Sequence, residues 1–378
     1  KKLDKIIFPG KKMTKKKEIE INFDCHKLNN RKIIEAFPKI ELHRHLEGAM
    51  HVKTLYDISL KNNLSYPKSF DDFQNEVQFP KDSEPDFLVF LSKFKNNWYK
   101  SYEDIEKVCY ESVKQLAYES IFYIELRFSP EHYALENNFD RIEVTKLVID
   151  ACNKAAKEEN INVKYLITFN RAKQDQKEMI KLYKKLAKAN IPDIVGIDLA
   201  GDEIHYPPKD FAKLFTEIYD DGLYKVTVHA GEVTPASQIW DAIMFLYASR
   251  IGHGVAAIHD QKLQMYLKEK NIALEQCITS NHHTGAWPDE KTHPCAKLIE
   301  AGVPVTINTD DPMIQNSDLT DDYLKLIKYF SFGLNKLISI NKTAIFSAFI
   351  DDKEKVKLWD KYMEKIKEFE KKFSSNSL

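Results

Sequence analysis

The sequence predicts an α/β protein: a TIM (β/α)8 barrel with a helical insertion after the first strand and extra C-terminal helices. Two observations predict it. Short apolar runs alternate with amphipathic stretches from Lys39 to Thr309, and that alternation is the mark of a parallel sheet covered by helices. No Pro-, Gly- or Ser-rich linker divides the chain. Its 378 residues therefore read as one domain, although ~150 residues per domain would give two or three.

The first strand is expected at Lys39–His43, where Ile40 and Leu42 lead into His-Arg-His. An insertion at 69–119 follows, with helical patterns at Phe87–Trp98 and Tyr102–Tyr118. Further strands are expected at Ile121–Arg127, Val163–Asn170, Ile194–Ala200, Lys225–Ala230, Arg250–Gly252, Ala273–Gln276 and Val305–Thr309. Amphipathic stretches between them include Ile142–Glu159, Glu178–Ala189, Asp210–Asp220, Ser237–Tyr247, Gln261–Glu269 and Ala296–Ala301. Residues 319–378 read as two or three helices and a tail, and residues 1–30 as an N-terminal extension.

Composition excludes several classes. Lys and Arg total 56 against 57 Asp and Glu, a formal charge of −1. Nucleic-acid binding needs a basic excess, so no such partner is expected. The basic run Lys11, Lys12, Lys15, Lys16 and Lys17 reads as a solvated tail. No apolar stretch is long enough to span a membrane, and no apolar leader opens the chain. Five scattered cysteines read as reduced thiols, so a cytoplasmic monomer is expected.

The candidate chemistry lies where strands end. His43 and His45 stand two apart, on one side of a strand, so both can reach one metal ion. Chance alone yields about 0.4 such pairs from twelve histidines, so the pair is weak by itself. His229 ends the fifth apolar run, with Glu232 past Gly231; His253 sits between two glycines after the sixth. Asp310-Asp311-Pro312 follows the eighth. A helix cap before proline explains one of those carboxylates; burying the other is costly unless it binds something. Read singly, each residue is ordinary. Together they occupy the catalytic rim of a barrel. Three imidazoles and a carboxylate suit Zn²⁺ with an open position for water, which predicts a metal-assisted hydrolase.

The set His43-Arg-His45-Leu-Glu47-Gly48, Gly196-Ile-Asp-Leu-Ala-Gly201-Asp-Glu, His229-Ala-Gly-Glu232, Arg250-Ile-Gly-His253-Gly, Ser280-Asn281, Thr284-Gly285, His293-Pro294 and Asn308-Thr-Asp310-Asp311-Pro312 resembles adenosine deaminase, of the amidohydrolase superfamily. The likeness runs in order from about Phe37 to Pro312. The Lys- and Asn-rich style and basic extension are similar to malaria-parasite members. The resemblance implies one zinc ion on His43, His45, His229 and Asp310. Its water would attack C6 of adenosine or 2′-deoxyadenosine, releasing ammonia and giving inosine in purine salvage. His253 would orient and deprotonate that water, and Glu232 would protonate N1. Asp311 would meet N7, and the Gly201 N–H would meet N3. Glu47 stands where most members have Asp, near the ribose hydroxyls, and Asn170–Lys173 is expected to shape that side.

Phe87, Phe90, Leu91 and Phe94 share one helical face, read as core packing or, as the family implies, a lid over the purine. His293-Pro294 is expected to brace a loop. Pro294-Cys295 begins the ligand pattern of the other zinc deaminase family, but position 298 is Leu, so that pattern fails. The fourth strand has no lysine to bridge two metals. Deaminases of adenine or N6-modified AMP are the enzymatic alternative. A non-catalytic zinc-binding relative would have lost Glu232 or His253, and both are present.

Overall fold

The computed structural model describes Phe23 and residues 25–80 and 83–374. The basic run at Lys11–Lys17 and residues 375–378 lie outside them. Eight parallel strands pair in sequence order: β1 (Lys39–His45), β2 (Ile121–Phe128), β3 (Asn162–Asn170), β4 (Ile194–Ala200), β5 (Lys225–Ala230), β6 (Arg250–His253), β7 (Ala273–Gln276) and β8 (Val305–Ile307). β4, β5 and β7 fall on the expected residues. β1 runs two residues further, to His45. β8 stops two earlier, because Asn308 turns its side chain inward to accept from the Leu42 N–H at 2.9 Å.

The closing seam lies between β8 and β1. Asp310 N donates to His43 O at 3.1 Å, and His45 N donates to Asp310 O at 2.9 Å. The seam thus sets one carboxylate between two histidines. Asp310 adopts φ +75° and His253 φ +59°. Such left-handed backbone is unusual outside glycine and clusters at functional sites.

The interior departs from the usual apolar filling of a barrel. Arg250 pairs with Glu125 and Glu275, each at 2.6 Å. Arg127 pairs with Glu275 at 2.7 Å and Asp198 at 3.3 Å. All are buried. Outside the barrel, Ile40, Leu42, Ile124, Leu126, Ile197 and Leu199 belong to one continuous core. At the strand N-termini, fully buried Lys39 donates to the carbonyls of Phe37 (3.0 Å) and Glu119 (2.7 Å), satisfying groups that would otherwise be orphaned.

The insertion between β1 and β2 is helical, with one correction. The helix expected over Phe87–Trp98 spans only Phe87–Leu91. Asp86 caps its start by accepting from Val89 N. Beyond Ser92 the chain leaves the helix as turns, where Asn96 and Asn97 favour local bonding over helix. A helix not expected from the sequence, Phe70–Val77, precedes the Phe87–Leu91 helix, and the second expected helix spans Tyr102–Gln115 and ends in a 3₁₀ turn to Glu119. After β8 a short helix at Pro312–Gln315 is followed, among the described residues, by three longer ones: Leu319–Phe330, Leu334–Ser347 and Asp352–Ser374. No helix among the described residues is long and apolar enough to cross a membrane.

Candidate active site

A cavity of about 300 Å³ opens at the C-terminal ends of the strands. His45, Glu47, Gly201, His229, Glu232, His253, Asp310 and Asp311 line it, under Phe87, Phe90, Leu91 and Phe94. His43 lies just beneath, fully buried. The candidate metal, catalytic and substrate residues proposed from the sequence therefore gather at this one place. The apolar cover comes from the short helix and the turn after it; Leu88 also lines the cavity at its exposed edge, and Val89 on the other face is exposed.

At the floor, four donor atoms converge. His43 Nε2 lies 3.1 Å from Asp310 Oδ1, His45 Nε2 3.4 Å from the same oxygen, and His45 Nε2 3.1 Å from His229 Nε2. Ligands of a tetrahedral zinc site stand about 3.3 Å apart when each bond is ~2.05 Å. His253 approaches from the other side, with Nε2 3.8 Å from Asp310 Oδ2 and 3.6 Å from Glu232 Oε2.

The far sides of the rings are held by carboxylates. Glu275 accepts from His43 Nδ1 at 2.7 Å, and Asp198 from His229 Nδ1 at 3.0 Å. Burial alone would raise both acids, but Arg127 and Arg250 hold Glu275 well below the usual range, and His229 with Arg127 does the same for Asp198. Both thus remain acceptors and turn Nε2 of each ring inward. Burial keeps His45 and His229 neutral. Burial and Arg127 press His43 the same way, yet Asp310 and Glu275 outweigh them and raise its pKa. Nitrogen lone pairs against a carboxylate call for positive charge between them, so the donor set fits a cation.

Close packing builds the rest. A Cβ on Gly252 would lie 3.0 Å from His43 Cε1, so glycine leaves room for that ring. Gly201, at φ +97°, packs against Asn170. Burial, then Asp310 and Glu203, push Glu232 far above the ordinary carboxyl range, while Thr284 Oγ1 donates to its Oε1 at 3.0 Å. Burial and Asp310 likewise raise Asp311, whose Oδ1 is buried without a hydrogen-bond partner among the described residues. Glu47 accepts from Ser129 N at 2.5 Å, and burial lifts it to about 7.

Several neighbours of the site had no role assigned from the sequence, though Asp198, Glu203 and Ser280 stand inside its motifs. Asp198 and Glu275 orient the rings, and Ser280 Oγ donates to Asp310 Oδ2 at 2.7 Å. Glu203 accepts from Val233 N (2.6 Å) and Thr234 N (3.1 Å), fixing the loop that carries Glu232.

The adenosine deaminase family model matches residues 38–365. The adenosine deaminase of Yersinia pseudotuberculosis is 35% identical over 329 residues, covering 86% of this chain and 97% of that protein. That of Shewanella denitrificans is 32% identical over 332 residues, 86% and 98%. Among solved structures, adenine deaminase from Arthrobacter aurescens superposes with a TM-score of 0.80 at 22% identity, covering 87% and 99%. N6-methyl-AMP deaminase from Arabidopsis thaliana does so at 0.76 and 22%, covering 89% and 98%. The latter two share the fold. With the family match spanning the whole barrel and every rim residue in place, the chain belongs to the adenosine deaminase family.

Proposed function

We propose that the protein hydrolyses adenosine and 2′-deoxyadenosine to inosine or 2′-deoxyinosine and ammonia, with one Zn²⁺ held by His43, His45, His229 and Asp310. The observation that carries this reading is one cavity that sets the four converging donors beside a buried, proton-holding Glu232. Three imidazoles and a carboxylate favour zinc over harder cations. When bound, the ion supplies Lewis acidity that brings water's pKa towards neutral. His253 also lies within 4.8 Å of the donor atoms of His43, His229 and Asp310; we assign it to the water and not to the metal because its nitrogen faces Asp310's second oxygen and Glu232.

The chain's own residues do the rest. Glu232 gives its proton to purine N1, making C6 electrophilic, and His253 orients the attacking water. Asp311, kept protonated by burial, donates from its carboxyl to N7; this supplies the partner its Oδ1 lacks. The Gly201 N–H meets N3. Glu47, anchored to Ser129, turns its other oxygen to the ribose. Phe87, Phe90, Leu91 and Phe94 cover the base and exclude water. Glu47, Glu131 and Asp202 line the cavity against one lysine, Lys173, which favours an uncharged nucleoside over a 5′-phosphate. Cys109, Cys152, Cys277 and Cys295 are buried free thiols, in keeping with a cytoplasmic role in purine salvage.

The test is ultraviolet spectrophotometry of purified, zinc-loaded protein with adenosine and, separately, AMP. Adenosine is expected to turn over with kcat/KM at least ~100-fold above AMP. Chelation should abolish turnover and zinc restore it. No absorbance change in zinc-replete protein would overturn the reading.

Gly48 gives a sharper check. A Cβ there would stand 1.8 Å from Asp311 Oδ1 and 2.5 Å from its Cγ, so Gly48→Ala displaces the N7 partner. A displacement near 1 Å costs about 100-fold, so kcat/KM for adenosine should fall by about that factor with zinc content unchanged. Steady-state kinetics beside metal analysis reads this out, and a fall under threefold removes Asp311 from the purine.

A further inference from the structure

Behind His253, a row of buried groups fixes where its proton stands, and this inference rests on the adenosine deaminase reading for its catalytic meaning. The row begins at a backbone amide. Cys295 N donates to His293 Nδ1 at 3.3 Å. A backbone N–H can only donate, so the direction of the whole row is set at this end. His293 is 1% exposed, and burial drives its pKa down to about 3. Its ring is therefore neutral, with its single proton on Nε2. That N–H donates to Asn281 Oδ1 at 3.1 Å. The amide nitrogen of Asn281 then faces His253 Nδ1 at 3.0 Å and donates to it.

His253 Nδ1, which accepts this hydrogen bond, carries no proton of its own. With Nδ1 occupied as an acceptor, its proton stands on Nε2. That nitrogen is the one aimed into the site, 3.6 Å from Glu232 Oε2 and 3.8 Å from Asp310 Oδ2. We propose that His293 and Asn281 are positioning residues that set the tautomer of His253, so that it presents an N–H, not a lone pair, to the oxygen that adds at C6.

This narrows the role expected from the sequence. From this tautomer His253 holds the nucleophilic oxygen by donating to it and stabilises charge on it. It does not take that oxygen's proton, which passes to the Glu232 carboxylate once that group has given its own proton to N1, and from there to the departing amine. The His-Pro pair does more than brace a loop: Pro294 leads into the Cys295–Glu300 helix, whose free first amide anchors the row.

The test uses the full, zinc-loaded chain. An aspartate at 281 accepts only, so Asn281→Asp pulls the His253 proton onto Nδ1. In Ser-His-Asp hydrolases a wrong tautomer costs about 10⁴ in kcat. Here kcat should fall at least ~100-fold, with KM for adenosine within about threefold. His293→Gln keeps an N–H for Asn281, and His293→Met does not. The glutamine variant should retain most of the rate, and the methionine variant lose ~10-fold or more. Nitrogen-15 NMR of ring-labelled histidine, with the signal assigned by its loss in His253→Ala, should show Nε2 protonated in the wild type and Nδ1 protonated in Asn281→Asp. A wild-type proton on Nδ1, an unchanged kcat in folded Asn281→Asp, or equal rates for the two His293 variants overturns the proposal. If wild-type protein fails to turn over adenosine, the functional reading falls, and the NMR measurement still decides the tautomer.

Discussion

Replacing Glu232 with glutamine is expected to lower kcat for adenosine by about 10³-fold, within the range a general acid contributes. Glutamine keeps the size and the acceptor oxygen that Thr284 Oγ1 reaches at 3.0 Å, so the loop and the four-donor cluster stay as they are. What it lacks is a transferable proton. Zinc content and KM should therefore remain near wild type while turnover collapses. The pH profile adds an independent sign. A group must be protonated to act as an acid, and burial with Asp310 and Glu203 raises Glu232 far above an ordinary carboxyl. Wild-type activity should persist well above the usual carboxylate range and fall only as pH rises through that raised pKa. The glutamine variant should lose this alkaline limb, because no proton remains there to lose. Single-turnover and steady-state rates across pH test both statements. A variant within tenfold of wild type, or one retaining the limb, would take Glu232 out of the acid's role.

The barrel and the gathering of the candidate residues at one rim were legible because both are written locally. A strand reads from a run such as Ile194–Ala200, and a rim residue from its place just after such a run, as His229 and His253 show. What holds those residues was less legible. Asp198 and Glu275 sit inside β4 and β7 with apolar neighbours, and along a strand an isolated acid looks like a solvent-facing position. Only closure of the sheet puts it indoors, where it must be paired. One signal was available. Strands of an all-parallel barrel are covered on both faces, so an acid in any of them is a buried charge in search of a partner, and the arginines of β2 and β6 were the candidates. The shortness of the helix that covers the cavity escaped for the opposite reason. Phe87, Phe90, Leu91 and Phe94 keep helical spacing whether or not the backbone stays helical, and periodicity cannot report that the chain turns after Leu91. The left-handed backbone of Asp310 and His253 is not reported by periodicity; at Asp310 it goes with the hydrogen bonds of the β8–β1 seam.

Glu275 is where these threads meet, and Glu275→Gln should be the most damaging single change outside the reactive groups. Its two oxygens accept from four donors: Arg250 Nε at 2.6 Å, Arg127 Nη2 and His43 Nδ1 at 2.7 Å, and Thr227 Oγ1 at 3.0 Å. Glutamine offers one acceptor oxygen, and its NH₂ group must face donors on the other side. Two buried guanidinium groups lose their shared counter-charge. Removing one partner from a buried ion pair costs about 3–5 kcal/mol, so the metal-free protein should lose that much stability in urea unfolding. His43 also loses the acceptor that fixes its proton on Nδ1, and such a loss weakens metal binding about 10- to 100-fold. Asp198→Asn provides the contrast. Asp198 accepts from His229 Nδ1 and Thr168 Oγ1 and pairs with Arg127 at 3.3 Å, but it anchors one arginine where Glu275 anchors two. It should cost a similar factor in zinc affinity and less in metal-free stability. Chelator-competition zinc titrations beside urea curves separate the two effects. A Glu275→Gln protein within 1 kcal/mol of wild type without metal would mean that Glu125 and Asp198 suffice to neutralise the two arginines, and that the barrel's charged interior tolerates one carboxylate fewer than its geometry requires.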